Sequence, residues 1–319
     1  MSMKNVIEMI KKNDRFLISS HVNPDPDALC SELALGIFLR SIGKKVSIVN
    51  HQAVPGRFHF LPGVRGIKNY WKNRKVNYDV AIIVDCGDLN RIGKVQDLIQ
   101  KDKVLINIDH HITNDLFGHI NLVDPHASST CEVLYELFLN SGCVFNKSLA
   151  ILLYTGIMTD TGSFRYENTT ARTHAIAAAL MKFKFSASQL HRKLYETITF
   201  RDLKEFTNVI SHFDMYFNKK VACVELRKKI LSKFSGEFDL RDTIFKFLRS
   251  IKDVEVFVIF TEVGHSKTRV NLRSSSTFDV ARLASLFGGG GHCRASGCTV
   301  DQGIPQARKE VLKNIRKTL

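Results

Sequence analysis

Four short clusters of acid or imidazole side chains, with five Asp residues among them, each close an apolar run, and this repeated pattern restricts the fold of the chain more than any other feature. Phe16-Leu-Ile-Ser leads to His21-Val-Asn-Pro-Asp25-Pro-Asp27, and Val80-Ala-Ile-Ile-Val84 leads to Asp85. Val104-Leu-Ile-Asn-Ile108 leads to Asp109-His110-His111, and the apolar run from Ile151 through Met158 leads to Asp160. Runs of this length read as buried strands, or in the last case as a strand or helix. In a parallel α/β sheet, groups placed just after strands converge on the carboxyl edge, where ligands bind. A single Asp in such a place is ordinarily a helix cap or a turn residue. Five such sites in one chain point instead to the inner shell of a two-metal hydrolase.

The donor types narrow the metal. Imidazole and carboxylate without thiolate argue against structural zinc, and an ion that takes only oxygen ligands, such as Ca²⁺, is a poor match. The reading is two divalent ions, Mn²⁺ first, with Mg²⁺, Co²⁺ and Fe²⁺ left open.

The chain elsewhere supports an α/β organisation. Strand patterns at 15 to 19, 45 to 49, 79 to 84 and 103 to 108 alternate with helix patterns such as 27 to 42, which predicts a doubly wound parallel sheet with helices on both faces. From 129 to 212 the pattern is mostly helical, with caps offered by Ser128-Ser129-Thr130, Asn146 and Thr169-Thr170. Met215 to Glu225 reads as a hairpin, two helices follow, and Val254 to Thr261 with Thr268 to Arg273 supply strands of a second, smaller α/β domain with a mixed sheet. The division expected is 1–190 for the metal domain, 191–213 for a helical linker and 214–319 for the second domain.

Near the C-terminus a helix predicted from Phe278 to Phe287 runs into Gly288-Gly289-Gly290-Gly291-His292-Cys-Arg294-Ala-Ser-Gly297. A glycine run is most often a flexible linker, but bare backbone also lets phosphate approach N–H groups closely. The neighbouring His292 and Arg294, with Arg273 and Ser274 upstream, favour the second reading.

These motifs resemble the DHH phosphoesterase superfamily, and within it the small two-domain members of the NrnA oligoribonuclease type. The resemblance spans almost the whole chain. It rests on His21 to Ala28, Val84 to Arg91, the triad Asp109-His110-His111, Gly156 to Phe164, and Gly288 to His292. Two departures stand out: Pro26 replaces a common Gly between Asp25 and Asp27, which removes an N–H, and Cys30 replaces another common Gly. The resemblance implies His21, Asp25 and Asp85 as ligands of one metal and Asp27, Asp85, His110 and Asp160 of the other, with Asp85 bridging. It implies Asp109 as a carboxylate that orients an imidazole, and His111 as the group that faces the phosphate. Arg273, Ser274, Gly289, Gly290, Gly291 and His292 would hold a terminal phosphate across a cleft between the domains, with Arg91 and Arg294 as further substrate contacts. The implied reaction is hydrolysis of short oligoribonucleotides to nucleoside 5'-monophosphates, with phosphate release from 3'-phosphoadenosine 5'-phosphate alongside. The alternatives are cleavage of a cyclic dinucleotide or its linear product, and a non-catalytic RNA-binding protein on the same fold. A homodimer is the assembly left open.

Composition agrees without naming a partner. At 319 residues two domains are the default. With 46 Lys and Arg against 31 Asp and Glu, a formal +15, the chain suits anionic partners such as a nucleotide or short RNA. Basic runs at Arg65 to Lys75, Lys219 to Lys229 and Arg308 to Lys317 read as solvated surface, the last on a helix with an apolar stripe of Val311, Leu312 and Ile315. Seven cysteines with no C-x-x-C pair read as reduced thiols of a cytoplasmic protein. The expected N-terminus has no signal-peptide core, and no apolar stretch of about 18 residues predicts a membrane span.

Overall fold

A computed structural model describes residues 2–72, 75–235, 238–264 and 266–319. Arg74 of the basic run at 65 to 75 and Met1 of the N-terminal segment lie outside them. The chain divides into two compact units, Met1–Glu196 and Thr197–Leu319.

The first unit runs α1 (Ser2–Lys12), β1 (Arg15–Ser19), α2 (Pro26–Ser41), β2 (Lys45–Asn50), β3 (Ile67–Asn69), β4 (Val80–Val84), β5 (Val104–Asp109), β6 (Ile120–Val123), α3 (Thr130–Asn140), α4 (Lys147–Asp160), α5 (Ala171–Met181) and α6 (Ala187–Tyr195). Its six strands are all parallel, in the order β3-β2-β1-β4-β5-β6. The continuous apolar runs arise because both faces are covered. Phe16, Ile18, Ile82, Ile106 and Ile108 face a core shared with α2, α3 and α4. Leu17, Val49, Ala81, Ile83 and Leu105 face a second layer built on Tyr78 and the short 3-10 segment Leu89–Leu98. The strand order reverses between β1 and β4, and at such a switch point the loops leave a crevice beyond the carboxyl ends.

Local chemistry sets the helix starts. Asp25 caps α2, its Oδ1 accepting from the Ala28 N–H at 3.0 Å, and Pro26 takes the first helical position, where a missing N–H costs nothing. Ser129, Asn146 and Thr170 cap α3, α4 and α5 through their side chains. No described helix is long and apolar enough to cross a membrane.

The second unit contains α7 (Phe200–Ile210), β7 (Asp214–Tyr216), β8 (Val221–Leu226), α8 (Lys228–Leu231), α9 (Leu240–Leu248), β9 (Val256–Gly264), β10 (Lys267–Ser274), α10 (Val280–Ser285), β11 (Gly290–His292), β12 (Ala295–Val300) and α11 (Ile304–Arg316). The sheet order is β11-β12-β10-β9-β8-β7, mixed because β8 and β9 run parallel while the other pairs are antiparallel. α10 and α11 cover one face, the latter through Ile304, Ala307, Val311 and Ile315. α7 and α9 cover part of the other. The expected linker, 191 to 213, is occupied by the end of α6 and by α7.

Candidate metal centre

The residues that follow β1, β4 and β5 meet those at the starts of α2 and α3 and the end of α4. His21 and Asp85, each just beyond its strand, flank the switch point: His21 Nε2 lies 3.6 Å from Asp85 Oδ2 and 3.9 Å from Asp25 Oδ2. On the other side His110 Nε2 lies 3.7 Å from Asp85 Oδ1 and 3.1 Å from Asp160 Oδ2. Ligand atoms within 4.8 Å of one another form three sets: His21-Asp25-Asp85, Asp27-His110-Asp160 and Asp85-His110-His111. Asp85 thus turns one oxygen toward each imidazole.

Both imidazoles are oriented for coordination. His21 Nδ1 is 2.9 Å from the Val22 carbonyl and His110 Nδ1 is 3.3 Å from the Ala127 carbonyl, so each Nδ1–H donates to backbone and each Nε2 lone pair faces the carboxylates. Asp85 itself is 2% exposed and sits at φ 53°, a left-handed conformation that Asp tolerates at a cost. Its N–H donates to the Ile108 carbonyl at 3.0 Å, which holds the turn.

Electrostatics describe a cluster short of positive charge. Burial opposes the ionisation of Asp85, but the bond to His21 and the charges of His110 and His21 outweigh it and hold the carboxyl well below the usual range. Burial likewise opposes protonation of His21, yet Asp85 and Asp25 raise it to about 9. His110, desolvated but paired with Asp160, is also raised. Burial and the charges of Asp85 and Asp160 push Asp27 well up. Asp27, His21 and His110 therefore hold protons where cations would serve, and the donor set fits divalent metal ions.

Around the cluster stand residues whose part was not evident from the motifs. Thr130 is fully buried; its hydroxyl donates to Asp85 Oδ1 and its N–H to Asp27 Oδ2, both at 2.8 Å, while the Cys131 N–H donates to Asp27 Oδ1 at 3.2 Å. The start of α3 thus fixes two of the acids. Gly156 in α4 faces them, and a Cβ there would strike Cys131 Sγ and Asp27 Oδ1. Asp109, fully buried, accepts from His111 Nδ1 at 2.6 Å through Oδ1 and from Asn114 Nδ2 at 2.6 Å through Oδ2. His111 is therefore turned with its Nε2 away from Asp109, and burial, which opposes its protonation, is outweighed by Asp109 so that its pKa rises. Arg91 is exposed; its carbonyl receives the Val22 N–H at 2.7 Å and braces the loop that carries His21. Cys86, beside Asp85, is buried and donates to the Asp88 carbonyl at 3.0 Å.

The remaining candidates lie in the second unit, grouped on β10, β11 and β12. Arg273 and His292 share one row across the sheet, each opposite Ala295. The Arg273 guanidinium lies 4.8 Å over the Phe245 ring and donates to the Leu272 carbonyl at 3.1 Å. Strand alternation turns Ser274 to the covered face, where its hydroxyl donates to the Ser276 carbonyl at 3.1 Å, so it shapes the turn rather than standing beside Arg273. The glycine run is not a loose nest. Gly290–His292 form β11, and side chains at Gly289 and Gly291 would collide with the backbone of β12. Gly288, at φ 67°, makes the turn out of α10. Arg294 is exposed at the tip of the β11–β12 hairpin.

Comparison with known proteins matches this arrangement. Residues 15–157 match the model of the DHH family, N-terminal domain, and residues 218–319 match the DHHA1 domain. The bifunctional oligoribonuclease and PAP phosphatase NrnA of Bacillus subtilis is 30% identical over 298 residues, covering 92% of each chain. Its counterpart of the same name from Thermus thermophilus is 29% identical over 323 residues, covering 99% of this chain and 94% of that one. A crystal structure of an exopolyphosphatase-related protein from Bacteroides fragilis superposes with a TM-score of 0.90 at 29% identity, covering 98% of this chain and 94% of the other. The convergence of the DHH triad with His21, Asp25, Asp27, Asp85 and Asp160, and kinship along nearly the whole length, place the chain in the DHH family of phosphoesterases, as a hydrolase that pairs a DHH domain with a DHHA1 domain.

Proposed function

We propose that this protein hydrolyses short oligoribonucleotides to nucleoside 5'-monophosphates in the cytoplasm and also removes phosphate from 3'-phosphoadenosine 5'-phosphate, with two Mn²⁺ ions. The observation that carries the reading is Asp85, with one oxygen toward His21 and the other toward His110. The names borne by the full-length relatives supply the substrate class. In this reading His21, Asp25 and Asp85 hold one ion and Asp27, Asp85, His110 and Asp160 the other. Such a pair supplies charge to both attacking and leaving oxygens of an in-line displacement and makes water acidic near neutral pH.

The protein's own groups do the rest. Thr130 and the α3 backbone keep Asp85 and Asp27 in place. His111, with its Nδ1–H held by Asp109, protonates the leaving oxygen from Nε2. Arg273, His292 and the backbone of the glycine hairpin hold a terminal phosphate, for which a planar guanidinium is suited by its two parallel donors. Arg91 and Arg294 add charge along the substrate.

The test is product analysis with purified protein and Mn²⁺, on a 5'-phosphorylated dinucleotide, a longer oligoribonucleotide, a cyclic dinucleotide and the bisphosphorylated adenosine. Mononucleotide release from the dinucleotide, abolished in Asp85→Asn together with loss of bound metal, is the expected result. Cleavage of the cyclic dinucleotide alone would move the substrate assignment, and RNA binding without any turnover would remove the catalytic reading.

A further inference from the structure

The sheet of the second unit is covered unevenly. Val258, Phe260, Val270, Leu272 and Cys298 face α10 and α11, while on the opposite side α7 and α9 cover Phe257 and Ile259, and α9 meets β10 through Phe245 against Arg273. Alternation along β10 and β12 leaves Arg269, Asn271 and Arg273 beside Ala295, Gly297 and Thr299 on that second side, with none of these six in the apolar core beneath the helices.

Two rows of this surface differ in kind. The row of Arg273 and His292 is the phosphate-holding position proposed above. In the next row Asn271 stands opposite Gly297, and Gly297 opposite Gly290, so a stretch of floor two strands wide carries no side chain. Packing accounts for Gly289 and Gly291 but not for Gly290, where a Cβ would meet nothing within 4 Å. Over this floor lean two polar side chains. A Cβ at Gly297 would lie 3.3 Å from Arg269 Nη2 and 3.5 Å from Asn271 Nδ2. Arg269 also donates through Nη1 to Thr299 Oγ1 at 3.3 Å. Asn271 Oδ1 is buried and has no hydrogen-bond partner, a state that buried acceptors seldom keep.

We propose that Arg269 and Asn271, above the Gly290–Gly297 floor, form a subsite that reads the edge of a purine base; this rests on the reading that the substrate is a nucleotide. A flat ring fits a floor of bare peptide. Its edge then meets a coplanar donor and acceptor from Asn271, the pairing that matches adenine N7 and N6, and two donors from Arg269, the pairing that matches guanine N7 and O6. Pyrimidines lack N7, and cytosine, which offers a like acceptor and donor through N3 and N4, does so only from the Watson–Crick edge of a single, shorter ring. A second phosphate is the poorer occupant, because the unpaired Asn271 Oδ1 is an acceptor and repels an anion. The row lies two residues along the strand from Arg273, roughly 6.6 Å, so base and terminal phosphate can belong to one nucleotide.

The experiment compares kcat/KM for the 5'-phosphorylated homodinucleotides of A, G, C and U in the full chain with Mn²⁺, alongside calorimetric binding of AMP, GMP, CMP and UMP. Wild type is expected to favour the purines by about tenfold or more. Asn271→Ala should erase the adenine advantage and Arg269→Ala the guanine advantage, with unchanged melting temperatures. Equal kcat/KM for all four dinucleotides in wild type, or variants that lower all four alike, would overturn the subsite. If no dinucleotide is turned over, tighter binding of AMP and GMP than of CMP and UMP would keep the subsite while refuting the nuclease reading, and equal binding of the four would refute the subsite as well.

Discussion

The Thr130 hydroxyl donates to Asp85 Oδ1 at 2.8 Å while the Thr130 N–H donates to Asp27 Oδ2 at the same distance. One residue therefore orients both the central carboxylate, through the oxygen that faces His110, and the Asp27 carboxylate on the same side of the cluster. Thr130→Val keeps the shape and the N–H but removes the hydroxyl bond. Groups that orient metal ligands typically carry about 10–100-fold in metal affinity or activity. Metal titration and kcat should fall by that order in Thr130→Val, and Thr130→Ser should restore both. A Val variant with native metal binding would show that Asp85 needs no orienting partner.

His110 and His111 are adjacent but differently held, and their variants should separate. His110→Ala should lose bound metal, because Nε2 faces Asp85 and Asp160. His111→Ala should keep metal and lose roughly 10²–10⁴ in kcat, the scale of a missing general acid. The Asp109 carboxylate raises the pKa of His111, so Asp109→Asn should lower it. An acid works only while protonated, and activity is lost as pH rises through its pKa; the alkaline limb of the kcat profile should then move to lower pH. An alkaline limb that stays in place would take His111 out of the proton-donor role.

Gly156 packs against the acids from α4, and a methyl group there would strike Cys131 Sγ and Asp27 Oδ1 together. Overpacking of this kind costs about 1–3 kcal/mol. Gly156→Ala should lower the melting temperature and weaken metal binding. Adding Cys131→Ala relieves the sulfur clash but leaves the contact with the Cβ of residue 131, at 2.9 Å, and the clash with Asp27. The double variant should therefore recover part of the lost stability without recovering metal affinity. Full recovery of both would mean that Gly156 serves packing alone.

The contacts of Thr130 and Gly156 mark where legibility in the sequence ended, whereas the split between His110 and His111 was implied by the motifs. The strands at 15–19, 45–50, 80–84 and 104–109 could be read because a strand buried on both faces is a continuous apolar run. β3, with Lys68 and Asn69 exposed, and β6, with Asn121 bonded back to the Gly118 N–H, carry no such run. The acids and imidazoles were legible because each follows its strand directly. Thr130 was visible only as one of three cap candidates, and Ser129 is the cap. Its bond to Asp85 joins residues 45 apart and the α3 contact with Asp27 joins residues about 103 apart, distances over which no local pattern carries information. The glycine run could be read as bare backbone, but only the pairing of β11 with β12 distinguishes Gly289 and Gly291, needed for packing, from Gly290, which is not.

Glu32 offers a test that does not depend on catalysis. It lies in α2 with no exposed surface; Oε2 accepts from Asn50 Nδ2 at 2.9 Å, while Oε1 and Asn50 Oδ1 have no partner. Burial pushes its carboxyl up to about 7, against an ordinary value of 4.5. The folded state therefore prefers the neutral acid. That preference contributes stability fully below pH 4.5, where the unfolded chain is protonated too, and the contribution is lost as pH rises through 7. The loss is on the order of 2–3 kcal/mol well above pH 7. Glu32→Gln cannot ionise, and its amide can donate to Asn50 Oδ1. Melting curves in the presence of chelator should show wild type and Glu32→Gln close together near pH 4.5, with the variant ahead by several degrees at pH 8.5. The gap should open above pH 4.5 and level off above pH 7. A gap that is the same at every pH would show that Glu32 ionises in the folded protein as readily as in the unfolded chain.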